Sequence, residues 1–339
     1  MNCPGIPGVP TKVIFAKPRL PLLLSMALVI GFVVTGGAVD ALANPAVFEK
    51  DFVELKTPEG VQIKEVSIDN RLGDVTVQGH DLPYISIQSF KRADDHEALE
   101  RLVVSLTPDA SGHVRVTTSL RAGDELRPLR SGSVAVNLLV LVPRQAAVRA
   151  QLWNGVLDVS KVDNGASLRV DSGHIKVENV SGLVTSHIRR GDQLFAQLFG
   201  DLEAQGIEGK LNMDGVRGKL LRASLVRGSI VGRNINSRDM EVRNVLGDID
   251  LEAQFVPGGK YLIVSRRGNV SVRFRGQAVV TMTLSAPRVV VDDSLSPKKF
   301  GQSRWRAHFG MRQSESGRRV RPAQLEVRSS SGSVAVKHF

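Results

Sequence analysis

Gly173-His-Ile-Lys-Val-Glu-Asn-Val-Ser-Gly182-Leu-Val-Thr-Ser-His-Ile-Arg-Arg-Gly191 is the stretch that decides the fold. Ile175 and Val177 follow the first glycine at +2 and +4 with polar residues between them, the period-2 pattern of a half-buried strand. Val180 at +7 is read as the next inward side chain after a bend. Outward from here the beat continues: Gly155, Gly173, Gly191, Gly209, Gly228 and Gly247 are spaced by 18, 18, 18, 19 and 19 residues. Gly165, Gly182, Gly200 and Gly218 fall between them. The same reading places Leu157, Val159 and Val162, then Leu202, Ala204 and Ile207, then Leu211, Met213 and Val216 inside. After Gly218 the pattern starts one residue late, with Leu221, Ala223 and Val226, and Arg238 replaces glycine before Met240, Val242 and Val245.

A strand of four or five residues cannot bury its own face, but stacked copies can, edge to edge around one apolar column. The expectation is an all-β chain: a single-stranded β-helix, or β-solenoid, of about 18–19 residues per coil, preceded by irregular β-rich capping coils. From Gly155 to Gly268 this gives about six coils and ~29 Å of stack at the usual strand spacing.

Composition agrees. The chain has 339 residues, 42% hydrophobic but 5% aromatic, with 32 glycines. The interior is therefore built mainly from Val, Leu, Ile and Ala, of which Val and Ile are β-branched and favour strands.

Five segments are expected. Residues 1–43 carry Lys12, Lys17 and Arg19, an uncharged run from Leu20 to Val39 and the small-x-small site Ala41-Leu42-Ala43. That is the layout of a secretory signal peptide, and the run is also long enough to remain as an N-terminal membrane anchor. Both readings export the remainder to the periplasm, the cell surface or the outer side of a membrane. Residues 47–150 read as irregular coils and a cap. Strands are expected over Val61–Ile68, Asp74–Gln78, Tyr84–Ser89, His113–Ser119 and Ser133–Val142, with a short helix in Ala93–Leu102 capped by Asp94 or Asp95. Residues 151–292 are the regular solenoid, 293–322 a basic excursion and 323–339 a final docked strand.

Net charge is +11, and removing residues 1–43 leaves +9. A basic exported protein is drawn to anionic surfaces such as lipid headgroups or acidic glycans. The charge concentrates in the excursion: from Lys298 to Arg321, the residues Lys298, Lys299, Arg304, Arg306, Arg312, Arg318, Arg319 and Arg321 face one acid, Glu315, with Phe300, Trp305 and Phe309 interleaved. These eight residues are the candidate polyanion-binding site. No nucleic-acid module is recognisable around them, so no specific nucleic acid is expected.

Catalytic chemistry finds no foothold in the sequence. The one cysteine is Cys3, inside the export segment, which leaves the exported part without disulfide, thiolate ligand or cysteine nucleophile. No phosphate-binding loop, nucleophile elbow or zinc-binding helix motif is present. Asp94, Asp95, His96 and Glu97 are consecutive, and neighbours on one helical turn point in different directions, so they read as cap charge rather than as a metal cluster. Gly73-Asp74, Gly191-Asp192, Gly200-Asp201 and Gly247-Asp248 resemble calcium β-roll corners only in spacing. Asp bonding its own turn accounts for them. The expectation is no cofactor, no metal and no enzyme.

VSIDNRLGDVTVQG at Val66–Gly79, SGHIKVENVSG at Ser172–Gly182, NVLGDIDLEA at Asn244–Ala253 and SSSGSVAVK at Ser329–Lys337 together resemble the bacterial "putative adhesin" domain of unknown function, across about residues 50–338. The resemblance implies an exported envelope protein with a β-helical fold, and it supplies no active site to carry over. The leading expectation is a non-enzymatic adhesin or scaffold. Alternatives are a module binding polyanions (glycan, lipid headgroup or nucleic acid) and a β-helix enzyme acting on polysaccharides, which would need paired carboxylates in a long groove.

Overall fold

Val148, Ala166, Val184 and Leu202 stand one above another, each eighteen residues after the last, in parallel strands of continuous register. The computed structural model describes residues 46–56, 62–121, 134–276, 278–295, 297–310 and 321–339. Twenty strands and one short α-helix are found among them, all the strands in one hydrogen-bonded sheet. The sheet winds as a solenoid-like stack with two long faces. Residues 166–170, 184–188 and 202–206 lie on the first face and 175–178, 193–196 and 211–214 on the second. The export segment 1–43 lies outside the described residues.

Three sharp features turn each coil, one of them the return corner at Gly165 and Gly182, with φ +80° and +86°. Gly191 has φ +126°, and a Cβ on it would sit 1.6 Å from the Gly173 carbonyl oxygen of the coil below. Glycine is therefore required twice over, by conformation and by space. The second bend, at the far end of the second face, is made by Lys161, Asn179, Gln197, Gly215 and Asn234, all left-handed with φ between 52° and 70°. This bend turns Val162, Val180, Leu198 and Val216 inward, where all are buried.

The first face corrects the inward rule. Its strand continues straight for another two residues, so Leu152, Val170, Ile188, Gly206 and Leu225 point inward. Ile207 and Val226, expected inside, are each 44% exposed. Coil length also drifts: register offsets are 18 residues up to Arg217, 19 between Ile230 and Ile249, and 21 between Val242 and Ile263. The extra residues form the turn at Pro257-Gly258, tied down by the Tyr261 hydroxyl, which accepts from the Val256 N–H and donates to the Ser237 carbonyl.

Stacking order departs from chain order at both ends. The N-terminal part forms β1 (Val47–Lys56), β2 (Glu65–Asn70), β3 (Val75–His80), β4 (Tyr84–Ala93), α1 (His96–Arg101), β5 (Leu102–Pro108), β6 (His113–Leu120) and β7 (Ala135–Pro143). It leads into β8 (Ala147–Ser160), β9 (Ala166–Ser181), β10 (Val184–Phe199) and β11 (Leu202–Leu246). β2 and β3 lie directly on β8, while the later β6 and β7 stack outside them. β5 then covers β6, β4 covers β7 and β1 covers β4, all antiparallel. Asp95 caps α1 by accepting from the Ala98 N–H at 2.7 Å.

The C-terminal part forms β12 (Ile249–Gln254), β13 (Lys260–Arg267), β14 (Val270–Arg275), β15 (Val280–Ser285), β16 (Arg288–Val291), β17 (Lys298–Lys299), β18 (Arg304–Phe309), β19 (Ala323–Ser329) and β20 (Ser333–His338). β19 inserts between β13 and β15, and β20 between β14 and β16. The closing segment is thus not the last layer; the coil of β15 and β16 lies outside it. β18 finishes the first face antiparallel to β15. Reversed strands of this kind blunt an edge that would otherwise template further parallel pairing. Inserting the last segment under a finished coil leaves β19 and β20 paired on both sides.

Candidate functional site: the basic hairpin and its sheet face

β17 and β18 form an antiparallel hairpin in which Lys298 stands opposite Arg306 and Lys299 opposite Trp305. Alternation along β18 sends Ala307 fully into the core, with Trp305 and Phe309 half-buried against it, while Arg304, Arg306 and His308 face out. Phe309 packs on Phe274 and His338, which closes the end of the apolar column. Trp305 and Phe309 thus anchor the hairpin and leave its cations in water.

Lys298, Arg304 and Arg306 share the outer side of the hairpin with Phe300, 45% exposed, over whose ring the Arg306 guanidinium lies at 4.6 Å. Lys299 is on the other side, 5.8 Å from the Trp305 ring. Among the described residues, none of Lys298, Lys299, Arg304, Arg306 and Arg321 has a carboxylate partner. Arg321 sits apart, at the corner where its carbonyl accepts from the Gly258 N–H. Arg312, Arg318 and Arg319 lie outside the described residues. The structure therefore brings together Lys298, Arg304 and Arg306 from the eight candidates.

The hairpin continues the outer side of the first face. Register runs from Arg306 through Thr283 to Glu326 and Leu262, and from Arg304 through Ser285 to Arg328 and Val264. Below it the charges are paired: Arg328 with Glu326, Arg243 with Glu241, and Arg222 with Glu203 at 3.0 Å. A shallow depression of ≈ 430 Å³ lies here, lined by Arg222, Glu241, Lys260, Leu262 and Glu326. No local pattern along the chain marks this row, because its members are spread over more than a hundred residues and meet only through the winding. Elsewhere on the face, the Arg189 guanidinium bonded to Asp171 holds that carboxyl below its usual range and raises its own pKa. No group of three or more metal-ligating side chains comes together among the described residues.

The aspartates at the corners serve the winding. Asp192 accepts from the Lys210 N–H, Asp74 from Val156, Asp201 from Lys219 and Asp248 from Asn269, each in the next coil rather than in its own turn. The expectation of a self-bonded turn is corrected here. The strand register is interrupted at the corner, as at Asp192 and Lys210, and the carboxylate of the neighbouring coil accepts the N–H there. Among the described residues, no helix is long and apolar enough to cross a membrane.

No curated protein matches the chain significantly. Solved structures similar to it include a "putative cell adhesion protein" from Clostridium sporogenes, at 9% identity over 86% of this chain and 100% of that one, with a TM-score of 0.26. A "putative adhesin" from Bacteroides fragilis is 9% identical over 86% and 97%, with a TM-score of 0.31. A "putative lipid binding protein" from Parabacteroides distasonis is 8% identical over 85% and 96%, with a TM-score of 0.32. The Toastrack DUF4097 family matches residues 31–337, nearly the whole chain and every strand but the last residue of β20. This chain belongs to the Toastrack DUF4097 family.

Proposed function

We propose that this protein is an exported, non-enzymatic scaffold of the cell envelope, an adhesin-like rod of stacked coils that engages polyanionic surfaces through the outer side of its C-terminal hairpin. The observation that carries the reading is that Lys298, Arg304 and Arg306 have no carboxylate partner among the described residues, whereas Arg328, two layers below them, and Arg243 and Arg222 beyond it are each bonded to an acid. Three cations and a phenyl ring on a rigid edge make a surface that attracts an extended anion without enclosing it. The apolar interior supports the scaffold role, since its side chains are committed to holding the coils together. Adhesion to glycans and retention at anionic envelope polymers use the same chemistry.

The test is a titration of the protein with a linear sulfated polysaccharide and with polyphosphate at two salt concentrations. The triple variant Lys298→Glu/Arg304→Glu/Arg306→Glu is expected to bind at least about tenfold more weakly, with a smaller salt dependence. Equal affinity of the variant and the parent, or binding indifferent to salt, excludes this surface. Proteolytic shaving of intact cells tests export separately.

A further inference from the structure

We propose that the opposite end of the stack carries a membrane-contacting surface: the outer face of β1 and β4, which rests on the headgroup–acyl boundary of a lipid bilayer. β1 reads Val47-Phe-Glu-Lys-Asp-Phe-Val53, and its alternation separates two chemistries. Val47 and Val53 pack on the core, and Glu49 and Asp51 bond to Lys91 at 3.5 and 2.7 Å. Phe48, Lys50 and Phe52 face the other way. Register with β4 sets Arg92 opposite Phe48, Phe90 opposite Lys50 and Gln88 opposite Phe52.

The result is a small amphipathic sheet face. Phe48 is 72% exposed, Phe52 56% and Phe90 42%, and the Lys50 ammonium lies 5.1 Å from the Phe90 ring. The row continues across β7 through Asn137, Leu139 and Leu141, which stand opposite Phe90, Gln88 and Ser86. Glu54 and Lys56 take the remaining alternate positions of β1, opposite Ser86 and Tyr84. Three exposed phenylalanines within one strand pair are costly in water, and nothing among the described residues covers them. Phenyl rings that enter the acyl boundary, with Lys and Arg beside them at the headgroups, are a standard chemistry for an interfacial surface.

Chain position selects lipid as the occupant. The uncharged run Leu20–Val39 ends nine residues before Phe48. If it stays in the bilayer, the eight residues between them reach at most about 28 Å even when fully extended. The phenylalanines are then confined to the membrane surface, and Lys50 and Arg92 suit anionic headgroups. The second face stacks thirteen strands from β1 to β16, about 58 Å at the normal strand spacing. That length runs along the sheet face that meets the membrane, and the basic hairpin lies on the other face, at the far end of the stack. This inference does not depend on what that hairpin binds.

The test uses the full chain with Cys3→Ser and a single cysteine, Phe52→Cys or Phe300→Cys, labelled with an environment-sensitive fluorophore. Vesicles of phosphatidylcholine with a minority of phosphatidylglycerol carry brominated acyl chains as quenchers. The label at 52 is expected to shift to the blue and to be quenched about threefold more than the label at 300. Adding Phe48→Ser and Phe90→Ser should reduce quenching at 52 by half or more. Equal quenching at 52 and 300 overturns the proposal. So does quenching at 52 that ignores the two serines, which would reflect tethering alone. A blue-shifted label at 52 in a lipid-free dimer assigns the face to a second copy and also overturns it.

Discussion

Asp192 Oδ1 accepts the backbone N–H of Lys210 at 2.8 Å, eighteen residues further along the chain. The bond ties one coil to the next at a corner where the ladder is interrupted. Asp192→Ala should lower unfolding free energy by about 1 kcal/mol, measured by urea denaturation. Asp192→Asn should be nearly neutral, because an amide oxygen already plays this part at Asn269, which accepts from the Ser333 N–H at 3.1 Å.

The bends at Gly191 and Gly215 should respond differently to side chains. Gly191→Ala forces a Cβ into the Gly173 carbonyl at φ +126° and should cost more than about 3 kcal/mol. Gly215 has φ +70° and open space, since the nearest atom lies 3.6 Å from where a Cβ would stand, and it stacks with Asn179, Gln197 and Asn234. Gly215→Asn should therefore stay within about 1 kcal/mol of the parent. Thermal denaturation of both variants checks the contrast.

Ser186 and Gln193 form one of the buried polar pairs in a mainly apolar column. The Ser186 hydroxyl donates to Gln193 Oε1 at 2.6 Å, and Gln193 Nε2 donates to the Gln205 carbonyl at 3.1 Å. Ser186→Ala leaves the amide oxygen without its donor and should cost about 1–3 kcal/mol. Ser186→Ala with Gln193→Leu should recover most of that loss, because the neighbours of Gln193 in register are Ile175 and Leu211. A double-mutant cycle measures the coupling.

Acid stability carries a sign. The Asp171 carboxyl is held below its ordinary range, first by its hydrogen bond from Arg189. Asp109 and Asp292 shift the same way, through bonds from the Ser111 hydroxyl and the Ser294 N–H. A carboxyl whose folded pKa is lowered contributes stability above the ordinary carboxylate range and loses it as pH falls through the folded value. Asp171→Asn should flatten that part of the acid limb, read from denaturation midpoints across a pH series.

The glycine beat makes the coil length and most of the core legible, because Gly173 and Gly191 obey a local rule that the sequence states directly. Ile207 and Val226 escape that rule because the first face runs straight where the second face bends. Lys161 and Gln197 give no residue-type signal that they occupy the left-handed bend. The insertion of β19 beneath β15 is not legible either, since Leu325 and Met282 carry no mark of which level they will join. The cations of the hairpin stand out in the sequence as a run. Their isolation from acids, like the phenyl face of β1, emerges from register.

The winding itself is tested most directly by a disulfide across neighbouring coils. Ser167 and Thr185 are partners in parallel register. In a Cys3→Ser background, Ser167→Cys with Thr185→Cys should oxidise rapidly to an intramolecular bond in the folded protein. Ser167→Cys with His187→Cys places the pair about 8 Å apart at the Cα atoms, too far to bridge. Cross-linking of the first pair and not the second is the predicted result. Failure of the first pair, or ready closure of the second, would contradict an eighteen-residue coil.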